Sequence, residues 1–220
     1  MNSGVRLVML GRQGAGKGTQ CTRLSRHYVV PHISTGDMLR AAVKEGTELG
    51  RKAGELMAAG DLVGDDIMIG IVEERLDKSD TTQRGYILDG FPRTVQQADA
   101  LAEITSARPL DVVVDLDVPE DVVLTRLASR RVCVDCGANY STDGPPKYGW
   151  VCDNCGGDVV QREDDTPDAI RRRLAEYTRK TEPLIAWYRD RKLLEVVDGL
   201  GPPDEVGRRL IAVIDSYRQN

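Results

Sequence analysis

Apolar residues recur along this chain in two rhythms. Short unbroken runs at 5–10 (VRLVML), 86–89 (YILD), 111–116 (DVVVDL) and 193–197 (LLEVV) have the length and composition of strands buried on both faces. Helical spacing occupies 94–104, 120–128 and 168–190, and Thr166-Pro167 supplies an N-cap followed by proline at the first helical position. Gly11 closes the first run, and a further helical pattern starts near Lys17 and continues through Leu24 to Tyr28. Strands alternating with helices predict an α/β fold, a parallel sheet flanked by helices. Two segments break the alternation. Residues 34–63 are helical, contain no strand and are punctuated by Gly46, Gly50, Gly54 and Gly60; residues 129–165 are rich in Gly, Pro, Asp and Cys, with short β-like pieces and no evident core. The expected organisation is a core of residues 1–33, 64–128 and 166–220 carrying a helical insert at 34–63 and a small β excursion at 129–165.

Composition narrows the class. A chain of 220 residues with 40% hydrophobic and 30% charged residues is an ordinary globular chain with room for a good core. No stretch approaches the roughly 18 apolar residues of a spanning helix, so no membrane association is expected. The first apolar run begins almost at the initiator Met, which leaves no place for a signal or transit segment and predicts a cytoplasmic protein. The net charge of −5 argues against a general nucleic-acid binder. Arginines nonetheless gather in the second half, at 126, 130, 131, 162, 171, 172 and 173, and such a cluster in an acidic protein suits a local anion site.

The strongest motif lies between the first strand and the first helix. In Gly11-Arg12-Gln13-Gly14-Ala15-Gly16-Lys17-Gly18-Thr19 the glycines let the backbone turn its N–H groups onto a polyphosphate, the helix dipole adds positive potential, and Lys17 supplies a full charge. The common form of this loop has Ser or Thr directly after the Lys; here Gly18 intervenes and Thr19 follows.

That variant, followed by Ile33-Ser34-Thr35-Gly36-Asp37-Met38-Leu39-Arg40 and by Asp89-Gly90-Phe91-Pro92-Arg93-Thr94, resembles the nucleoside monophosphate kinases and, within them, the adenylate kinases with a long, zinc-binding lid. The resemblance runs through essentially the whole chain in order. It implies reversible phosphoryl transfer from Mg-ATP to AMP giving two ADP, a P-loop core, an AMP-binding insert at 34–63, a lid at 129–165 and a monomeric enzyme. For ATP it implies Gly14, Ala15, Gly16, Lys17, Gly18 and Thr19 in the loop, Arg126 stacked on adenine, Arg130, and softer contacts at Asn139, Tyr140 and Gly201. For AMP it implies Thr35, Arg40, Asp61, Leu62, Val63, Gly90, Phe91, Pro92, Arg93, Gln97, Arg162 and Arg173. The catalytic set would be Lys17, Arg40, Arg93, Arg130, Arg162 and Arg173, with Asp89 holding Mg2+ through its water shell. The chemistry agrees: an acceptor phosphate already ionised at pH 7 needs no general base, so the site should be rich in arginine. His27 and His32 are accordingly read as structural, Arg131, Arg171 and Arg172 as solvated, and Asp164 and Asp165 as orienting Arg130 and Arg162.

Cys133-Val-Asp-Cys136-Gly and Cys152-Asp-Asn-Cys155-Gly form two knuckles separated by fifteen residues, a spacing suited to tetrahedral Zn2+. Four thiolates leave no open position for water, so the expected metal is structural. Cys21 stands apart as a small buried residue. Two alternatives remain open at this level: a related kinase with another donor or acceptor base, and a zinc-ribbon P-loop ATPase acting on nucleic acid.

Overall fold

The computed structural model describes residues 4–59 and 61–218, so Gly60 lies outside the described residues. The chain opens with β1 (Arg6–Leu10), α1 (Lys17–Tyr28) and β2 (His32–Ser34), then runs through α2 (Thr35–Glu45), α3 (Glu48–Ala59), α4 (Asp65–Leu76) and α5 (Ser79–Arg84) before β3 (Tyr86–Asp89). Next come α6 (Val95–Ile104), β4 (Val112–Asp117), α7 (Glu120–Ser129), β5 (Arg130–Cys133), β6 (Asn139–Ser141) and β7 (Val159–Val160). The last part holds α8 (Pro167–Glu176), a π-helical turn (Tyr177–Thr181), α9 (Pro183–Asp190), β8 (Leu194–Asp198) and α10 (Pro203–Arg218).

Five parallel strands form the main sheet in the order β2-β3-β1-β4-β8. Strand residues alternate between its two faces. Leu7, Met9, Ile87, Val112 and Val114 pack with Leu24 of α1, Leu127 of α7, Leu174 of α8 and Leu210 of α10. The intervening Val8, Leu10, Leu88 and Val113 pack with Leu39 of α2, Val72 of α4, Leu101 of α6 and Leu184 of α9. Both faces are therefore dry, which is why these runs lack polar alternation. Each fully buried Leu or Val contributes about 1.5–3 kcal/mol.

The predicted helix at 168–190 is divided. Pro183 has no N–H to donate and its ring would crowd a regular turn. The chain widens instead, with Glu182 N bonding five residues back to Tyr177 O at 2.9 Å. Ahead of this, Thr166 caps α8 as expected, its side chain accepting from Ala169 N. The Cys-rich excursion carries a second, antiparallel sheet in the order β6-β5-β7. Its core is minimal: Cys133, Cys152 and Val159, with Ala138 and Tyr140 packed against them.

Candidate active site

β1 lies between β3 and β4; the chain leaves β1 through α1 to β2 on one side and later crosses from β3 to β4 on the other, which opens a crevice at the carboxyl ends of the strands. The loop from Gly11 to Gly16 fills the floor of that crevice. Gly14 and Gly16 have φ of 80° and 103°, values that a side chain would strain. A Cβ on Gly14 would also stand 2.9 Å from Leu127 Cγ and from Val123 O, so the loop rests directly on α7. Helix α1 starts without a side-chain cap and without an acidic residue in its first turn. Its first N–H groups thus face the crevice with nothing competing for an anion.

Lys17 Nζ donates to Gly11 O at 2.7 Å and to Arg12 O at 3.0 Å. Burial pushes its pKa below the usual lysine value, and the Asp89 charge opposes that shift. Asp89 ends β3, and its Oδ2 lies 3.3 Å from His32 Nε2. Burial works against the Asp89 carboxylate, but the His32 hydrogen bond and the Lys17 charge outweigh it, leaving the pKa below the ordinary aspartate value. Thr35 Oγ1 donates to Gly90 O at 2.9 Å. Gln97 accepts from Arg93 N at 2.8 Å and donates to Asp65 Oδ1 at 2.8 Å, which fixes its amide at the crevice wall with one N–H and one lone pair to spare.

Above this floor the arginines converge from separate elements. Arg93 donates through Nε to Gly90 O at 2.7 Å; its pKa is drawn down to about 10 by burial and then by repulsion from Arg173. Burial and repulsion from Arg130 likewise bring Arg162 to about 10. Arg162 Nε is buried without a hydrogen-bond partner, an orphaned donor aimed into a cationic site. Compensation comes chiefly from two carboxylates. Asp165, whose side chain is fully buried, accepts from Arg130 Nε at 2.7 Å and lies 3.4 Å from Arg173 Nη1, and Asp164 Oδ2 lies 2.9 Å from Arg173 Nη1. Arg40 pairs with Asp37 on the exposed side. Together these residues surround a cavity of about 1400 Å3 that runs from the phosphate loop to α2, α3 and the Cys-rich sheet. This exceeds the ~300–1000 Å3 of a typical one-ligand pocket.

The four cysteines meet at one point over the cavity. Cys133 Sγ and Cys155 Sγ are 3.5 Å apart, as are Cys136 Sγ and Cys152 Sγ, and all four sulfurs lie within 4.8 Å of one another. Tetrahedral zinc with ~2.3 Å bonds needs sulfur edges near 3.8 Å, so the donor set and its spacing fit. Backbone N–H groups of Gly137 and Gly156 close the two knuckles onto Cys133 O and Cys152 O. The Tyr140 hydroxyl lies 3.4 Å from Cys152 Sγ, and its hydrogen bond lowers the pKa of that thiol, while the neighbouring sulfurs share their protons so that the Cys136 and Cys155 thiols are raised.

A family model described as adenylate kinase matches residues 9–193. The chain belongs to the adenylate kinase family. An adenylate kinase of Methanococcoides burtonii is 47% identical over 215 residues, covering 96% of this chain and 99% of its own. That of Geobacter sp. (strain M21) is 51% identical over 211 residues, with 94% and 98% covered. The Archaeoglobus fulgidus adenylate kinase is 47% identical over 215 residues, with 96% and 99% covered. Membership makes the chain a nucleoside monophosphate kinase and sets aside the nucleic-acid-dependent ATPase.

In this adenylate kinase the residues expected to touch nucleotide line one cavity: the loop from Gly14 to Thr19, Thr35, Arg40, Asp61, Leu62, Val63, Asp89, Gly90, Pro92, Arg93, Gln97, Arg126, Arg130, Asn139, Tyr140, Arg162, Arg173 and Gly201. Phe91 differs, being a core side chain that is 1% exposed, so only its backbone can serve the site. Gln96 falls instead on a separate small depression with Thr94 and Lys180. Arg126 reaches Ala15 O at 3.0 Å, beside the loop. Tyr140 turns its hydroxyl to the cysteines, which leaves its ring and backbone for a ligand. One expectation needs correction in part. Asp165 holds Arg130 as expected, but the other guanidinium paired with Asp164 and Asp165 is that of Arg173 rather than Arg162. His32, read as structural, makes a contact the sequence reading did not name, with Asp89; its place two residues before Ser34 in a parallel strand paired with β3 was the signal available.

Proposed function

We propose that this adenylate kinase binds Mg-ATP and AMP together in the one crevice and passes the γ-phosphoryl reversibly between them, giving two ADP. The observation that carries this reading is the convergence of Lys17 with Arg40, Arg93, Arg130, Arg162 and Arg173 on a single cavity large enough for two nucleotides. Little covalent work is asked of the protein. The loop N–H groups and Lys17 hold the donor β- and γ-phosphates, Arg40 and Arg93 hold the acceptor phosphate, and Arg130, Arg162 and Arg173 follow the charge as it spreads in transfer. Thr35, Gln97 and the backbone at 61–63 read the AMP base, and Arg126 with Gly201 flanks the ATP base. Asp89, ionised and set opposite Lys17, suits a water-shell ligand of Mg2+, which when bound neutralises phosphate charge. With equimolar AMP, GMP, CMP and UMP offered together with ATP and Mg2+, AMP should be consumed first; preferential consumption of another monophosphate would overturn the acceptor assignment.

Residues 129–165 act in this reading as a lid that closes over the reacting phosphates and excludes water, carrying Arg130 and Arg162 into place at its two hinges. Zinc on Cys133, Cys136, Cys152 and Cys155 staples a segment with too little core to fold alone. Stripping the metal, or Cys133→Ala, should lower the Tm by roughly 5–10 °C while changing turnover little at low temperature. Equal melting of zinc-free and zinc-loaded protein would refute the staple. Membership of the family further suits a cytoplasmic monomer. Separately, no helix among the described residues is long and apolar enough to cross a membrane.

A further inference from the structure

A second group of metal-ligand atoms lies beneath the phosphate loop, apart from the lid cysteines. Cys21 on α1, His32 at the start of β2 and Asp89 at the end of β3 place one donor atom each within 4.8 Å of the others. The three come from different elements, and the β2–β3 register, with Ser34 beside Asp89, brings His32 to its carboxylate. His32 Nε2 and Asp89 Oδ2 are 3.3 Å apart. That is the nitrogen–oxygen edge expected for zinc with bonds of ~2.0–2.1 Å. The Cys21 edges need to close to about 3.5 Å for a Zn–S bond of ~2.3 Å.

We propose that Cys21, His32 and Asp89 form an inhibitory site for a thiophilic divalent cation of the zinc type, distinct from the lid site, whose occupation withdraws Asp89 from phosphoryl transfer. The donor set decides the metal: thiolate and imidazole select zinc over Mg2+, which takes hard oxygen ligands. On binding, the Cys21 thiol proton leaves to solvent as the Zn–S bond forms, and thiolate plus carboxylate balance the two positive charges. His32 and Asp89 line the crevice, so the fourth coordination position faces it and is open to water or a phosphate oxygen. Cys21 is fully buried behind them and has no part in the transfer reaction. Lys17 and Arg93 stand close to Asp89 and repel an incoming cation. The site is therefore weaker than the four-cysteine cluster, fills only when free zinc rises, and acts as a brake.

The test uses the full-length enzyme with its lid already loaded with zinc. Equilibrium dialysis against buffered free Zn2+ without nucleotide should give a second zinc per chain in the wild type and one in Cys21→Ala. Initial rates in excess Mg2+ should fall as free Zn2+ rises, and Cys21→Ala should raise the half-inhibiting concentration by at least about 30-fold, since even outer-shell changes cost 10–100-fold in metal affinity. His32→Gln, with inhibition read against its own zinc-free rate, should shift in the same direction and serves if Cys21→Ala does not fold. One zinc per wild-type chain, or equal inhibition of wild type and variants, overturns the proposal. The dialysis result stands whatever nucleotides the enzyme uses.

Discussion

Lys17→Met is expected to lower kcat by about three orders of magnitude with the fold intact. Removing one preorganised donor from a developing phosphate charge costs ~10^2–10^3 in rate, and Lys17 contributes a full charge. The side chain already sits in the loop, its ammonium bonded to Gly11 O and Arg12 O, so no search for a conformation precedes its action. Stability should hold or rise slightly, because the buried ammonium is a cost in the free enzyme, as its lowered pKa records. Circular dichroism and a thermal melt of the variant would establish the fold, and steady-state rates the loss. A rate within a few-fold of wild type would overturn the placement of the donor phosphates.

Asp165→Ala is expected to be the most damaging single change outside the loop. Its fully buried carboxylate holds both Arg130 and Arg173. Deleting one member of a buried ion pair typically costs ~3–5 kcal/mol; the two arginines keep some exposure, so about 3 kcal/mol is the better figure. In a chain of this size that is a Tm loss of roughly 6–12 °C. Much of the loss should return when ATP and Mg2+ are added, since phosphate oxygens then replace the missing carboxylate. Asp168→Ala is the control. It removes an exposed partner of Arg171, a pair worth about 0–1 kcal/mol, and should melt like the wild type. Equal melting of the two variants would show that Asp165 does not organise the arginines.

The parts of this protein most legible from sequence are those whose physics is local. An unbroken Val112-Val113-Val114 run can only be a strand covered on both sides, and it is. Glycines around Lys17 announce a turn whose backbone must approach a phosphate, and the φ angles of Gly14 and Gly16 agree. The paired cysteines carried their own spacing. What escaped was short or depended on distant partners. β2 has only three residues and is held as a strand by its pairing with β3. α4 spreads its apolar residues around the helix, leaving Ile67 exposed while Met68 and Val72 are buried, so it offers no clear stripe. The continuous helical pattern at 168–190 hid the break that Pro183 imposes on hydrogen bonding. At the site, arginine identity was readable from motif and resemblance, whereas the partner of each guanidinium was not. Asp164 and Asp165 are adjacent in sequence, and only the tertiary fold determines that both serve Arg173 while Arg162 Nε is buried without a hydrogen-bond partner.

Direct transfer between two adenine nucleotides held in this single crevice can be followed by phosphorus NMR in a closed mixture of the enzyme, Mg2+, ATP and AMP. ATP and AMP should disappear in equal amounts, with two ADP formed for each pair consumed and no inorganic phosphate beyond the uncatalysed level. ATP loss with release of inorganic phosphate and AMP left unchanged would contradict direct transfer.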